Sequence, residues 1–152
     1  MSHQHALRSA EPSIAHARAA LSARLEAARA EHQQRSPSDL VLVRLEVPSL
    51  APEALLERFP EHDAVLWHPP EGPRFAGIGV AAAIVGHGSE RFADVRRAQD
   101  ALWATVGTAA DAGEWDAPRL FGGFAFAPNG ASSEHWAGFG PARFVLPRIS
   151  YA

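Results

Sequence analysis

All 14 Lys-plus-Arg positions in this chain are arginine, and lysine is absent. That excludes a Schiff-base lysine, a phosphate-cradling P-loop lysine and a lysine general base. Cysteine is absent as well, which excludes thiol nucleophiles, thiolate metal sites and disulfides and fits a reducing compartment. Histidine, serine and the carboxylates remain. His3 and His5 lie near the start, His16 and His32 are too far apart on one helix to share a ligand, and His62, His68, His87 and His135 are scattered. No HExxH and no closely spaced histidine pair with acidic support occurs, so surface or half-buried histidines are expected rather than metal ligands. A serine nucleophile elbow fails too, because Gly88-Ser89 and Ser132-Ser133 lack the flanking glycines of GxSxG.

The one nominal ligand motif is Gly77-Ile78-Gly79-Val80-Ala81-Ala82, which satisfies GxGxxA. Dinucleotide binding needs a strand before that turn and a helix N-terminus directly after it, so that backbone amides face the pyrophosphate. Prolines 69, 70 and 73 precede the run, and the next helical pattern starts only at Ser89. A bent, glycine-rich strand is therefore expected, and a nucleotide-binding enzyme is disfavoured. The aromatic run Phe121-Gly122-Gly123-Phe124-Ala125-Phe126, with Trp136 to Phe139 and Phe144 to Arg148 after it, reads as strands whose glycines allow close backbone approach.

The elements that must position these residues follow from periodicity. Residues 1–38 form a polar tail and an amphipathic helix over 12–34, with Ile14, Leu21, Leu25 and Ala28 on a narrow stripe that packs loosely outside. Residues 39–152 form an α/β region. A strand is expected over 39–48, a short helix over 52–59 and a strand over 64–68. One bent strand or two short ones should cover 75–85. Ser89 should cap a helix to Val106, with Phe92, Val95, Leu102 and Val106 buried, Arg96–Asp100 and Asp94–Arg97 paired outside, and Gly107 as its stop. Strands over 119–126, with Phe124 and Phe126 on one face, and over 143–150 complete the series. The fold class is α/β of the α+β type, with a mixed or antiparallel sheet and helices packed outside.

Hydrophobic residues make up 47% and charged residues 20% of the 152-residue chain, which suits one soluble domain. A net charge of -3 implies no nucleic-acid partner. No apolar run approaches the ~20 residues of a membrane helix, and Met1 to Arg8 carries no apolar export segment. A cytoplasmic protein without membrane attachment is expected.

The order of motifs is specific. Leu66-Trp67, Phe75 to Ala81, the helix from Ser89 with Arg91-Phe92 at its start, Pro118 to Phe126, Trp136 to Phe139 and Phe144-Val145-Leu146-Pro147-Arg148 together resemble isochorismate synthases of the chorismate-utilising enzymes. The resemblance covers residues 40–150 and leaves out the N-terminal helix. It implies an enzyme that moves a hydroxyl on chorismate with Mg2+, feeding menaquinone or catecholate-siderophore synthesis. A lysine activates water, a glutamate acts as acid, and further glutamates hold the metal. Each lowers a different part of the barrier. In the family those residues lie beyond the LPR-type strand, so no catalytic, substrate-binding or metal-binding residue carries over to this chain. Gly77, Gly79, Phe121, Gly122, Gly123, Phe124, Phe126, Pro147 and Arg148 match the family pattern as strand packing and turns. The resemblance thus implies an incomplete N-terminal portion, inactive alone and binding no Mg2+ itself. The alternative is a non-catalytic interaction subunit that docks with a separate catalytic half.

Overall fold

The computed structural model describes residues 13–36, 39–107, 117–127 and 138–152. It opens with α1 (Ile14–His32), where the Ser13 Oγ accepts a hydrogen bond from the His16 N–H at 3.2 Å. The hydroxyl satisfies an amide that the first helical turn leaves without a partner. Pro12, expected in this turn, lies outside the described residues. Past the helix, Arg35 reaches Glu31 at 2.9 Å and Asp39 at 3.4 Å. These carboxylates, Glu31 first, raise the pKa of its guanidinium. Ala17 is the buried residue of α1, whereas Ile14, Leu21 and Leu25 are exposed. The expected stripe is therefore a bare apolar ridge.

The strand expected over 39–48 shrinks to β1 (Leu40–Val41), and residues 42–50 have no regular structure. Among the described residues its ladder partner is β5 (Val106–Gly107), which pairs in parallel as Leu40↔Val106 and Val41↔Gly107. The far end of this segment is held differently, by the Leu50 N–H donating to the Tyr151 hydroxyl at 2.8 Å. The short helix α2 (Pro52–Leu56) follows, with proline in its first turn. It packs on β3 (Phe75–Ile78), and Arg74 adds an ion pair to Glu53 at 3.3 Å.

Two antiparallel sheets form the body. One has the order β2-β3-β8, with β2 at Ala64–Trp67 and β8 at Ile149–Tyr151. The other has the order β4-β7-β6, with β4 at Ala82–Gly86, β7 at Ala142–Leu146 and β6 at Phe121–Phe124. The 75–85 run is thus two strands, as one of its two readings had it. The single strand expected over 143–150 is also two, split at Pro147-Arg148. The result is a mixed α/β fold with antiparallel sheets and helices, in line with the class expected from the sequence.

Helix α3 (Arg91–Thr105) covers β4 and β7. Val95 is buried with Ile84 and Ala142, and Ala98, Leu102, Leu120 and Phe144 pack around them. Ser89 does not cap it. A 3-10 turn over Gly88–Glu90 precedes the helix and moves its start to Arg91. The capping role falls to Asp94, whose Oδ2 accepts from the His87 N–H at 3.1 Å. Its Oδ1 holds Arg97 at 2.6 Å, one of the two ion pairs expected on this face. The same displacement changes the inward stripe, which runs 91, 95, 98, 102, so Arg91 is buried and Phe92 is 55% exposed. At its other end the helix runs directly into β5, and Gly107 belongs to that strand rather than to a stop signal.

Candidate functional site

The residues of the expected pattern gather where the two sheets meet. Segments 75–86 and 142–151 run antiparallel along their whole length, first as β4 with β7 and then as β3 with β8. Between the pairs Ala82↔Leu146 and Ile78↔Ile149, one segment has three residues (79–81) and the other has two (147–148). One extra residue on one side is a β-bulge, which bends the pair and sharpens its twist. Gly79 takes up the distortion at φ +66°, a conformation that costs glycine little. The backbone stays bonded through the bend. The Gly79 N–H donates to the Asp63 carbonyl at 2.7 Å and the Ala81 N–H to the Leu146 carbonyl at 2.8 Å. The Arg148 N–H forks between the carbonyls of Ile78 at 3.1 Å and Gly79 at 3.3 Å. The amides of the GxGxxA string are therefore used in strand pairing, and no helix follows it.

Gly77 is needed for a different reason. A Cβ there would lie 2.6 Å from Val65 Cγ1 and 2.7 Å from Pro147 Cγ, so the buried proline ring fits only over a bare backbone. Gly122 is similar, since a Cβ would strike the Arg143 carbonyl oxygen and the Phe144 Cα. Its neighbour Gly123 faces open space within 4 Å. The Phe121 ring lies 6.2 Å from the Phe75 ring, and the Arg119 guanidinium lies 4.9 Å over that same ring, joining the two sheets. Phe124 stands 4.5 Å from Phe92 and 4.9 Å from Phe144. Phe126 does not share that face. β6 ends at Phe124 because the Ala125 N–H turns to the Pro141 carbonyl at 2.8 Å, and Phe126 is left fully exposed.

The register also defines a second face of the β4-β7-β6 sheet. Ala83 and Val85 share it with Arg143, Val145, Phe121 and Gly123, on the side away from α3. Val85 is 44% exposed and Ala83 is exposed too, so apolar strand positions face outward there. With the Phe92–Phe124 pair on the other side, the sheet presents apolar surface on both faces. Such surface is suited to docking rather than to proton transfer.

Among the described residues, the ionisable groups pair locally, as Glu31 and Asp39 with Arg35, Glu53 with Arg74, and Asp94 with Arg97. Among the described residues, no three His, Asp or Glu side chains come together as a group able to hold a metal ion. This donor set does not fit the magnesium site that the resemblance implies. Asp94 has its pKa lowered, chiefly by the His87 amide and then by Arg97, and burial opposes both. That is the signature of a helix cap. Arg91, named in the sequence only as part of the family pattern, is buried at the start of α3. A cation in a helical first turn, where acids are favoured, was the available signal. No helix among the described residues is long and apolar enough to cross a membrane.

Over 113 residues the chain is 33% identical to the salicylate biosynthesis isochorismate synthase of Pseudomonas aeruginosa. The aligned region is 73% of this chain and 23% of that relative, so the match spans about a quarter of the relative's length. No solved structure matches the chain. Residues 23–152 match the family described as chorismate binding enzyme, a span that takes in both sheets, α2, α3 and their junction, and the chain belongs to that family.

Proposed function

We propose that this chain is the N-terminal part of an isochorismate synthase, which converts chorismate to isochorismate in the cytoplasm, and that it serves as the structural half of that enzyme. The observation that carries the reading is the alignment itself, which takes up most of this chain and only 23% of the relative. A further feature supports it: lysine, which the resemblance gives as the water-activating residue, is absent. The base, the acid and the Mg2+-binding carboxylates are accordingly assigned to polypeptide outside these 152 residues. The outward apolar positions Val85, Phe92 and Phe124 are where that polypeptide docks. The isochorismate would feed menaquinone or catecholate-siderophore synthesis, and the relative's own name points to salicylate.

The test is an isochorismate assay on the purified 152-residue chain with Mg2+ and chorismate, alone and with a catalytic half. No product alone, strong binding of a hydrophobic dye, and product once a lysine-bearing catalytic half is added are the expected results. Turnover by the chain alone refutes the reading. The outward apolar faces equally suit a separately encoded, non-catalytic subunit. Reading the DNA after the Ala152 codon decides between the two, since an in-frame or frameshifted continuation with a lysine-bearing strand supports the first.

A further inference from the structure

Arg91 is the buried charged side chain of the described residues, 5% exposed, and no carboxylate among them pairs with it. Its Nη1 donates to the Gly88 carbonyl at 3.1 Å, in the 3-10 turn that leads into α3. Its Nε has no hydrogen-bond partner. The guanidinium carbon lies 4.4 Å from the centre of the Phe92 ring. Two effects disfavour a cation at this place. Burial removes the water that would solvate it, and the first residue of a 15-residue helix sits at the positive end of the helix dipole. The acid in the first turn is already committed, because the Asp94 oxygens take the His87 N–H and Arg97. Gly86 holds the start of the helix in place, since a Cβ there would lie 2.5 Å from the Arg91 carbonyl oxygen.

We propose that the start of α3 is a binding site for a single oxyanion, a carboxylate or a phosphate, with Arg91 as its fork and the exposed Phe92 ring as the flap that covers it. Adjacent guanidinium N–H groups donate to two oxygens side by side, and the helix terminus adds its own positive potential. The oxyanion comes either from a free ion or from an acidic side chain on a segment that docks over Phe92 and Phe124. The side-chain source rests on the docking proposed above, whereas the free-ion source does not, and anion binding by the chain alone is read without any chorismate turnover.

The test follows the arginine Nε–Hε resonances of the nitrogen-15-labelled chain during titration with phosphate, acetate and chloride at matched ionic strength. Arg91 should respond saturably to phosphate and acetate, with half-saturation on the order of 1–10 mM, while the other arginines follow ionic strength alone. A response to phosphate and not to acetate assigns the site to a free ion; a response to both admits a side-chain carboxylate. Equal movement in chloride, or none in any salt, overturns the proposal. Arg91→Gln should abolish the response but also removes a buried contact. Phe92→Ala keeps the arginine and uncovers it, and should tighten phosphate binding several-fold. Unchanged or weaker binding in Phe92→Ala overturns the proposal too.

Discussion

Gly77→Ala adds one methyl group at the point where β3, Val65 and Pro147 meet. The new Cβ would sit 2.6 Å from Val65 Cγ1 and 2.7 Å from Pro147 Cγ, both well inside normal contact. Val65 can turn its side chain, but Pro147 is a ring in a buried turn and cannot. Overpacking of this kind costs about 1–3 kcal/mol. The alanine restricts the unfolded chain and so returns about 0.4–1 kcal/mol, leaving a net loss of about 1–2 kcal/mol. Gly123→Ala is the same chemical change at a site with nothing within 4 Å, and there only the favourable part remains. The two variants should differ by about 2 kcal/mol, or about 4–8 °C in melting temperature for a chain of this size. Urea and thermal unfolding of the purified chain measure both. Adding Val65→Ala to Gly77→Ala should recover about 1 kcal/mol as a coupling between neighbours. Equal melting temperatures for the two alanine variants, or no coupling to Val65, would refute the packing described at this junction.

Gly79→Ala should cost about 1–2 kcal/mol through backbone strain at φ +66°, since its Cβ would have room 3.5 Å from Arg148 Cβ; Gly79→Asn should cost less, and urea midpoints rank the two. Asp94→Asn should lower the melting temperature near neutral pH by loosening the start of α3. The Asp94 carboxyl is lowered below 3.8, first by the His87 amide, so its contribution is full above the unfolded value and is lost as pH falls through the lower folded value. The gap between this variant and the wild type should close in acid, and a gap that widens there contradicts the assignment. Tyr151→Phe removes the acceptor of the Leu50 N–H, should cost about 0.5–1.5 kcal/mol, and should speed hydrogen exchange at Leu50.

What the sequence revealed was local. A short apolar run before a proline-rich turn marked β2, periodicity marked α3, and Gly77 to Ala82 announced a bend in place of a phosphate loop. The family pattern was legible in the same way, as short motifs in order. Where strands were missed, the cause is that pairing is decided by distant residues. Residues 42–47 have the valines of a strand, yet they have no regular structure. The break at Pro147-Arg148 exists because the opposite segment carries one more residue, which no window around position 147 contains. Arg91 was passed over in favour of Phe92 because hydrophobicity alone chose the stripe, while the 3-10 turn set the actual phase of the helix.

The bent ladder has a kinetic consequence. Hairpin β2–β3 and the β6–β7 pair can form early, but each is a pair of strands without its third member. Both sheets are completed by one encounter, when residues 142–151 zip along 75–86, and that closes a long loop before any contact repays the lost chain entropy. Refolding should therefore be limited by this single non-local step. The β3 amides that face β8 and the β4 amides that face β7 should become protected at the same rate, although they lie in different sheets, because the strands that protect them arrive on one continuous stretch of chain.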